Sequence, residues 1–249
     1  MSSSLQGFLG EDLDETRAYD SNQAIKAAVA KMTSRRSFLG KGIAAAAVPA
    51  AIVAGSSRQA HAAGTDGPFP SYYPGSTKRN FQEIQLDEYE HNNIITTAIQ
   101  SLGGKPRPLA TFRGIQNLSA SQFLNLSITF ENTGVHAYLG AAGYISNPAV
   151  LSSAVEIALV EAYHSGFLNT LGNQSLIPGA LPLATPFTLN QVLTGIAPYV
   201  QSLNDNGNFP PVYGPNPSAS NDIAILNFAL LLEQLEAEFY FFNVPALFA

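Results

Sequence analysis

The sequence predicts an all-α fold, a four-helix bundle with a long connection before its last helix. Three observations predict it. Apolar residues recur at steps of three and four along four long segments, each over 20 residues, which suits a bundle better than a mixed fold. Glycine and proline punctuate the ends of those segments. Hydrophobic residues make up 46% of the 249-residue chain, enough for a full core.

The chain opens with a polar lead-in over residues 1–32, carrying an acidic patch of Glu11, Asp12, Asp14 and Glu15. The following Thr-Ser-Arg-Arg-Ser-Phe-Leu-Gly-Lys run, with Arg35 and Arg36 at its centre, resembles a twin-arginine export signal. The alanine-rich stretch 43–55 is short of the roughly 20 residues a membrane helix needs. Ala60-His61-Ala62 fits an A-x-A cleavage pattern. These features predict export by the twin-arginine route, to the periplasm or beyond the cell. Residues 1–62 then form the lead-in and signal, and residues 63–249 the domain, with no stable membrane span after cleavage.

Residues 63–80 read as a leader loop rich in Gly, Pro, Ser and Tyr. The first helix is predicted over about residues 80–102, stopping at Gly103-Gly104. The second covers about 119–145 and the third about 148–171, closed by Gly172. The fourth covers about 221–243, with Asn221-Asp222 as an N-cap region and a stop before Pro245. The connection 103–118 carries Pro106 and Pro108 and reads as extended. The connection 172–220 is rich in Pro, Gly and Asn, with one short helical stretch near 189–203.

Composition bounds the chemistry. There is no cysteine, which excludes disulfides, thiolate metal sites and thiol catalysis. Any metal must be held by oxygen and imidazole nitrogen, which suits iron or manganese and is less distinctive for zinc. After Ala62 the chain has five basic and thirteen acidic residues, net −8, which argues against nucleic acid as a partner.

Three helical stripes each place a carboxylate in the middle of an apolar face. The first reads Phe81, Ile84, Glu88, His91, Ile95, Ala98, Leu102. The third reads Val150, Ala154, Ile157, Glu161, His164, Leu168, Leu171. The second reads Leu124, Ile128, Glu131, Val135, Tyr138, Ala142, Ile145. A buried carboxylate costs several kcal/mol unless it is paired or binds a cation. The Glu-x-x-His spacing directs both side chains of each pair to one face, toward ions on the bundle axis. The fourth helix offers two candidates. Glu236 lies opposite the polar face of Asn227, Gln234 and Glu238, and Glu233 sits in the stripe Leu226, Leu230, Glu233, Ala237, Tyr240, Val244. The spacing does not choose between them.

Two Glu-x-x-His pairs plus one Glu from each of two further helices resemble the ligand set of ferritin-like di-iron and di-manganese proteins. The stretches DIAILNFALLLEQLEAEFY (222–240), FENTGVHAYLGAA (130–142) and EIALVEAYH (156–164) resemble the desiccation-related branch of that superfamily. The resemblance implies two ions of Fe or Mn. Glu88 and Glu161 would bridge them, His91 and His164 would each bind one, and Glu131 and Glu236 (or Glu233) would be terminal ligands. The Glu-bearing helix that usually comes first comes last here, which implies a circularly permuted bundle or a last helix exchanged with a neighbouring chain. Either connection is long enough to run along the bundle.

The resemblance implies a redox role or a role in oxidative or desiccation stress, with metal ions as partners. A non-catalytic protective bundle, or a partner-binding one that self-associates, is the alternative. No catalytic residue is assigned. His136 is expected at the surface or behind the site, with a place as substitute ligand as the alternative, and Tyr89, Tyr138, Tyr163 and Tyr240 lie near the site in sequence. Glu90 and Glu156 are expected in solvent. Phe239, Phe241, Phe242 and Phe248 are expected in packing or an interface.

Overall fold

The computed structural model describes residues 64–248 apart from 181, 210 and 211. The lead-in, the twin-arginine stretch and the cleavage pattern lie outside the described residues.

The leader is not a plain loop. Strands β1 (Gly64–Asp66) and β2 (Phe69–Ser71) pair as an antiparallel hairpin. The hairpin explains why helix α1 (Ser76–Ser101) starts four residues before residue 80. Its N-cap, Gly75, is left-handed and brings no side-chain cap. Asp66 supplies the missing acceptor, taking the amides of Gly75 and Thr77 at 2.8 Å and of Lys78 at 3.3 Å.

Helix α2 (Ala120–Ala142) begins at a capping box formed by Ser119 and Gln122, and Gly143 ends it before Ile145. Helix α3 (Pro148–Leu171) has the predicted bounds, with an Asn147 cap, proline in the first turn and Gly172 at the end. The short helix α4 (Leu189–Ile196) occupies only the first half of the predicted helical stretch. The rest is strand β4 (Val200–Ser202), which pairs antiparallel with β3 (Thr111–Phe112) and ties the two long connections together.

Helix α5 (Ala219–Leu247) departs most from expectation. Its cap is Ser218, not Asn221-Asp222, and it runs through Pro245. Asp222 instead turns its carboxylate to the start of α3, accepting from the amides of Ser146 and Asn147 and from the Ser146 hydroxyl. Proline removes one amide and crowds the carbonyl four residues back. That carbonyl belongs to Phe241, whose residue is half exposed, and the last turn is pinned beyond it. Phe248 packs on Phe69 and Phe81, and its carbonyl accepts from Lys78.

Contacts fix the helix directions. Phe81 meets Phe123 at one end of the bundle, and Ile95 and Ile99 share a core with Tyr138 at the other, so α1 and α2 run parallel. Helix α5 is antiparallel to α1, since Lys78 reaches Phe248 and Asn92 reaches Glu233. The short 143–147 turn makes α3 antiparallel to α2. The connections 102–119 and 172–218 therefore both run the length of the bundle. The first lies along α5 and is stapled there by three amide side chains. Asn227 Oδ1 accepts from the Arg107 amide at 2.7 Å, Gln234 Oε1 from the Ala110 amide at 3.2 Å, and Asn243 donates to the Ile115 carbonyl at 2.7 Å. Part of the face that reads as polar in the sequence is thus buried under chain.

Two apolar clusters fill the interior. One gathers Phe81, Phe123, Phe130 and Phe239. The other gathers Ile95, Ile99, Ile157 and Leu230. Along the helices, the buried Glu88, Glu131, Glu161 and Glu233 fall between the residues of the two clusters. Among the described residues no helix is long and apolar enough to cross a membrane.

Candidate metal centre

Midway along the bundle, four helices turn carboxylates and imidazoles toward one another. Helix α1 brings Glu88 and His91, α2 brings Glu131, α3 brings Glu161 and His164, and α5 brings Glu233 and Glu236. All seven are buried, with Glu88, Glu131, Glu161 and Glu233 at 0% exposure. Helical steps of three put each Glu-x-x-His pair on the inward face, and the flanking apolar residues seal it.

The ligand atoms sort into two groups, each within 4.8 Å: Glu88, His91, Glu161 and Glu233 in one, Glu88, Glu131, Glu161 and His164 in the other. Glu88 and Glu161 belong to both. His91 Nδ1 stands 3.1 Å from Glu233, 3.2 Å from Glu161 and 3.3 Å from Glu88. His164 Nδ1 stands 3.0 Å from Glu88 and 3.1 Å from Glu131. The imidazoles face each other with ring centroids 6.4 Å apart. Six of the seven sequence candidates are thereby brought together. Glu233, not Glu236, joins a group. Glu236 lies outside both, buried, with Oε2 making no hydrogen bond.

The electrostatics follow from burial. Burial, then the charge of Glu131, pushes the Glu88 carboxyl up to about 7. Burial, then Glu88 and Glu131, pushes Glu161 well above the ordinary range. Burial, then Glu161, does the same to Glu236. Burial opposes the charged form of His91, but Glu233 and the neighbouring carboxylates outweigh it and raise the imidazole. Burial likewise opposes charge on His164, and Glu131 with Asp87 outweighs it. His91 in turn holds Glu233 below its ordinary value against burial. Without a cation, this interior can keep only some of its carboxyls ionised.

The residues fit a pair of cations. Both oxygens of Glu161 and one of Glu88 make no hydrogen bond, although His91 and His164 stand at ion-pair distance from two of them. Buried carboxylate oxygens without donors are costly, and a cation supplies what they lack. The four carboxylates Glu88, Glu131, Glu161 and Glu233 would together balance two divalent charges. Oxygen and imidazole donors without sulfur suit hard or borderline ions.

Three supporting residues go beyond the predicted ligands. Tyr138 donates its hydroxyl to Glu233, and Tyr240 donates to Glu131 at 2.6 Å. Each tyrosine hydroxyl thus holds one of the two carboxylates that belong to a single group. Asp87 stands 3.2 Å from His164 Nε2. With the proton on Nε2, the Nδ1 lone pair points at the site. Its place beside Glu88 in the sequence was the available signal. Tyr163 is 75% exposed and takes no part. His136 is neither at the surface nor in the site: it is buried against Phe187, ring centroids 4.5 Å apart, because the 172–218 connection covers it.

The family model described as a ferritin-like domain matches residues 46–174, just over half of the chain. The match covers α1 to α3 and leaves α5 outside it. No curated protein matches the chain.

Proposed function

The chain belongs to the ferritin-like domain family, and on that premise we propose that it binds two ions of iron or manganese and serves a redox or stress-protective role. The observation that carries the reading is the sharing of Glu88 and Glu161 between two four-residue groups. Glu88 and Glu161, shared between the groups, would help hold two divalent ions, and with Glu131 and Glu233 they would balance the charge of both. Glu233 and His91 would complete one position, Glu131 and His164 the other. Tyr138, Tyr240 and Asp87 fix the rotamers and tautomer of these side chains. Iron or manganese, when bound, supplies Lewis-acid and one-electron redox chemistry. The surrounding apolar clusters keep bulk water from the carboxylates, which strengthens their hold on a cation.

Chain order supports a circularly permuted bundle of the desiccation-related kind, with α5 in the place of the usual first helix. It packs antiparallel on α1 and contributes Glu233, which joins Glu88, His91 and Glu161 in one group. Export by the twin-arginine route rests on the Arg35-Arg36 run and the A-x-A pattern, and it suits a protein loaded with metal before crossing. A second reading, a partner-binding or self-associating bundle, is favoured by the exposure of Phe241 and Phe242 near the end of α5. Gel filtration of the purified chain tests it; a strict monomer that captures no partner counts against it.

The main reading is tested with the double substitution Glu88→Ala and Glu161→Ala. Iron and manganese uptake should be lost while the helical circular-dichroism signal persists. A folded double variant that still binds metal at the wild-type level would contradict it.

A further inference from the structure

Thirteen acidic residues follow Ala62, and the fold accounts for eight of them. Glu88, Glu131, Glu161, Glu233 and Glu236 are buried inside the bundle. Asp66 and Asp222 serve helix starts, and Asp205 faces the buried Arg107. Of the other five, four lie along one seam, between α1 and α3. Glu83, Asp87 and Glu90 follow one another on α1 at steps of four and three, and so share one side of that helix. Asp87 stands 3.2 Å from His164 Nε2, which sets this side against α3. Glu156 lies two steps of four before His164 on α3. Among the described residues, no lysine or arginine comes within ion-pair distance of any of the four.

Exposure singles out the same place. Glu83 and Glu156 are exposed, and Glu90 is half-buried. The Asp87 side chain is 26% exposed, whereas the other described side chains bonded to a candidate ligand's side chain reach 8% at most. From Asp87 the contacts lead inward through one ring. His164 Nδ1 stands 3.0 Å from Glu88 Oε1 and 3.1 Å from Glu131 Oε2. Glu88 Oε1 is itself buried and takes no hydrogen bond. Two side chains, Asp87 and His164, thus separate water from a carboxylate oxygen that lacks a donor. On other sides the bundle is covered, by the first connection along α5 and by the second over His136 on α2.

A cation crossing the apolar clusters would shed its water and gain no partner, at a cost of several kcal/mol. Along the seam it meets carboxylates at each step. A row of unpaired negative charges also raises the local cation concentration and speeds association, by about 10-fold or more at low salt, and added salt screens the effect.

We propose that the α1–α3 seam is the face through which divalent cations enter the centre, with Glu83, Glu90 and Glu156 drawing them in and Asp87 passing them to the group of Glu88, Glu131, Glu161 and His164. The destination rests on the di-metal reading; the acidic seam does not.

Anaerobic stopped-flow mixing of the metal-free chain with Fe(II) tests the entry face. Tyrosine emission reads binding, because the chain has no tryptophan and Tyr138 and Tyr240 bond to site carboxylates. Glu83→Gln combined with Glu90→Gln should slow association about fivefold at about 20 mM salt and less than about twofold at about 0.5 M. Glu156→Lys, on the facing helix, should slow it by a similar factor. Dissociation into a chelator and the iron bound at saturation should stay at wild-type values, a split that a damaged site would not give. Glu238→Gln removes a charge beside Gln116 of the first connection and should leave the association rate unchanged. Seam variants within about 1.5-fold of wild type at low salt, or equal slowing by Glu238→Gln, would overturn the entry face alone. A wild-type chain that takes up no iron removes the destination, and the proposal falls with the di-metal reading.

Discussion

Gly134→Ala adds one methyl group where the bundle has no room for it. The new carbon would stand 2.6 Å from Glu161 Oε2 and 3.3 Å from its carboxyl carbon. Carbon and oxygen atoms not bonded to each other need more than about 3 Å, so one of them must move by roughly half an ångström or more. The helices resist parting. One turn away, Asn132, Ser165 and Asn169 join α2 to α3 by hydrogen bonds of 2.5 to 3.1 Å. The Glu161 carboxylate gives way instead. Alanine is a better helix former than glycine by about 1 kcal/mol, and overpacking costs about 1–3 kcal/mol, so the metal-free fold changes by no more than about 2 kcal/mol. Displacing a shared carboxylate should weaken metal binding about 10- to 100-fold, or roughly 1.4–2.8 kcal/mol. Thermal melts of the metal-free chain and competition against a chelator read the two effects separately. Metal affinity within about threefold of wild type would refute the reasoning that Gly134 makes space for Glu161.

The remaining expectations concern pH, the imidazole support and the first connection. Glu88, held near 7 against an ordinary 4.5, stabilises the metal-free fold fully below pH 4.5. That contribution, about 3 kcal/mol, is lost as the pH rises through about 7, and the raised Glu161 and Glu236 act with the same sign. The Tm of the metal-free chain should therefore fall from roughly pH 5 to pH 8, and a Tm that rises over that interval contradicts the assignment. Asp87→Leu removes the acceptor behind His164, and one of the two binding steps should weaken about tenfold in a calorimetric titration while the other stays as it was. Equal weakening of both steps would show that Asp87 does not act through His164. Asn227→Leu strips the acceptor from the buried Arg107 amide and should cost about 1–3 kcal/mol in urea unfolding, with metal content retained. An unchanged midpoint would mean that the amide staples do not hold the connection.

Much of the site was legible because periodicity and cost point the same way. Glu88, Glu131 and Glu161 each interrupt an apolar stripe, and a buried carboxylate needs a reason. The choice between Glu233 and Glu236 was not legible, because α5 is buried almost all round and its inward face cannot be read from polarity. The covering connection hides the outer side of α5 as well, so Asn227 and Gln234 read as a polar face although they are inside. Long-range capping was also out of reach. Asp66 serves α1 and Asp222 serves α3 across the fold, and neither reveals its acceptor role by its neighbours in sequence. The run through Pro245 follows from the packing of Phe248, a tertiary contact that local helix rules do not contain.

The central claim, two ions held by shared carboxylates, is tested most directly by titrating the metal-free chain anaerobically with Fe(II) and Mn(II) and counting bound metal. Binding should saturate at about two ions per chain, with a release of protons and a rise in Tm. Saturation at about one ion, or uptake below about 0.2 ions per chain, would contradict it.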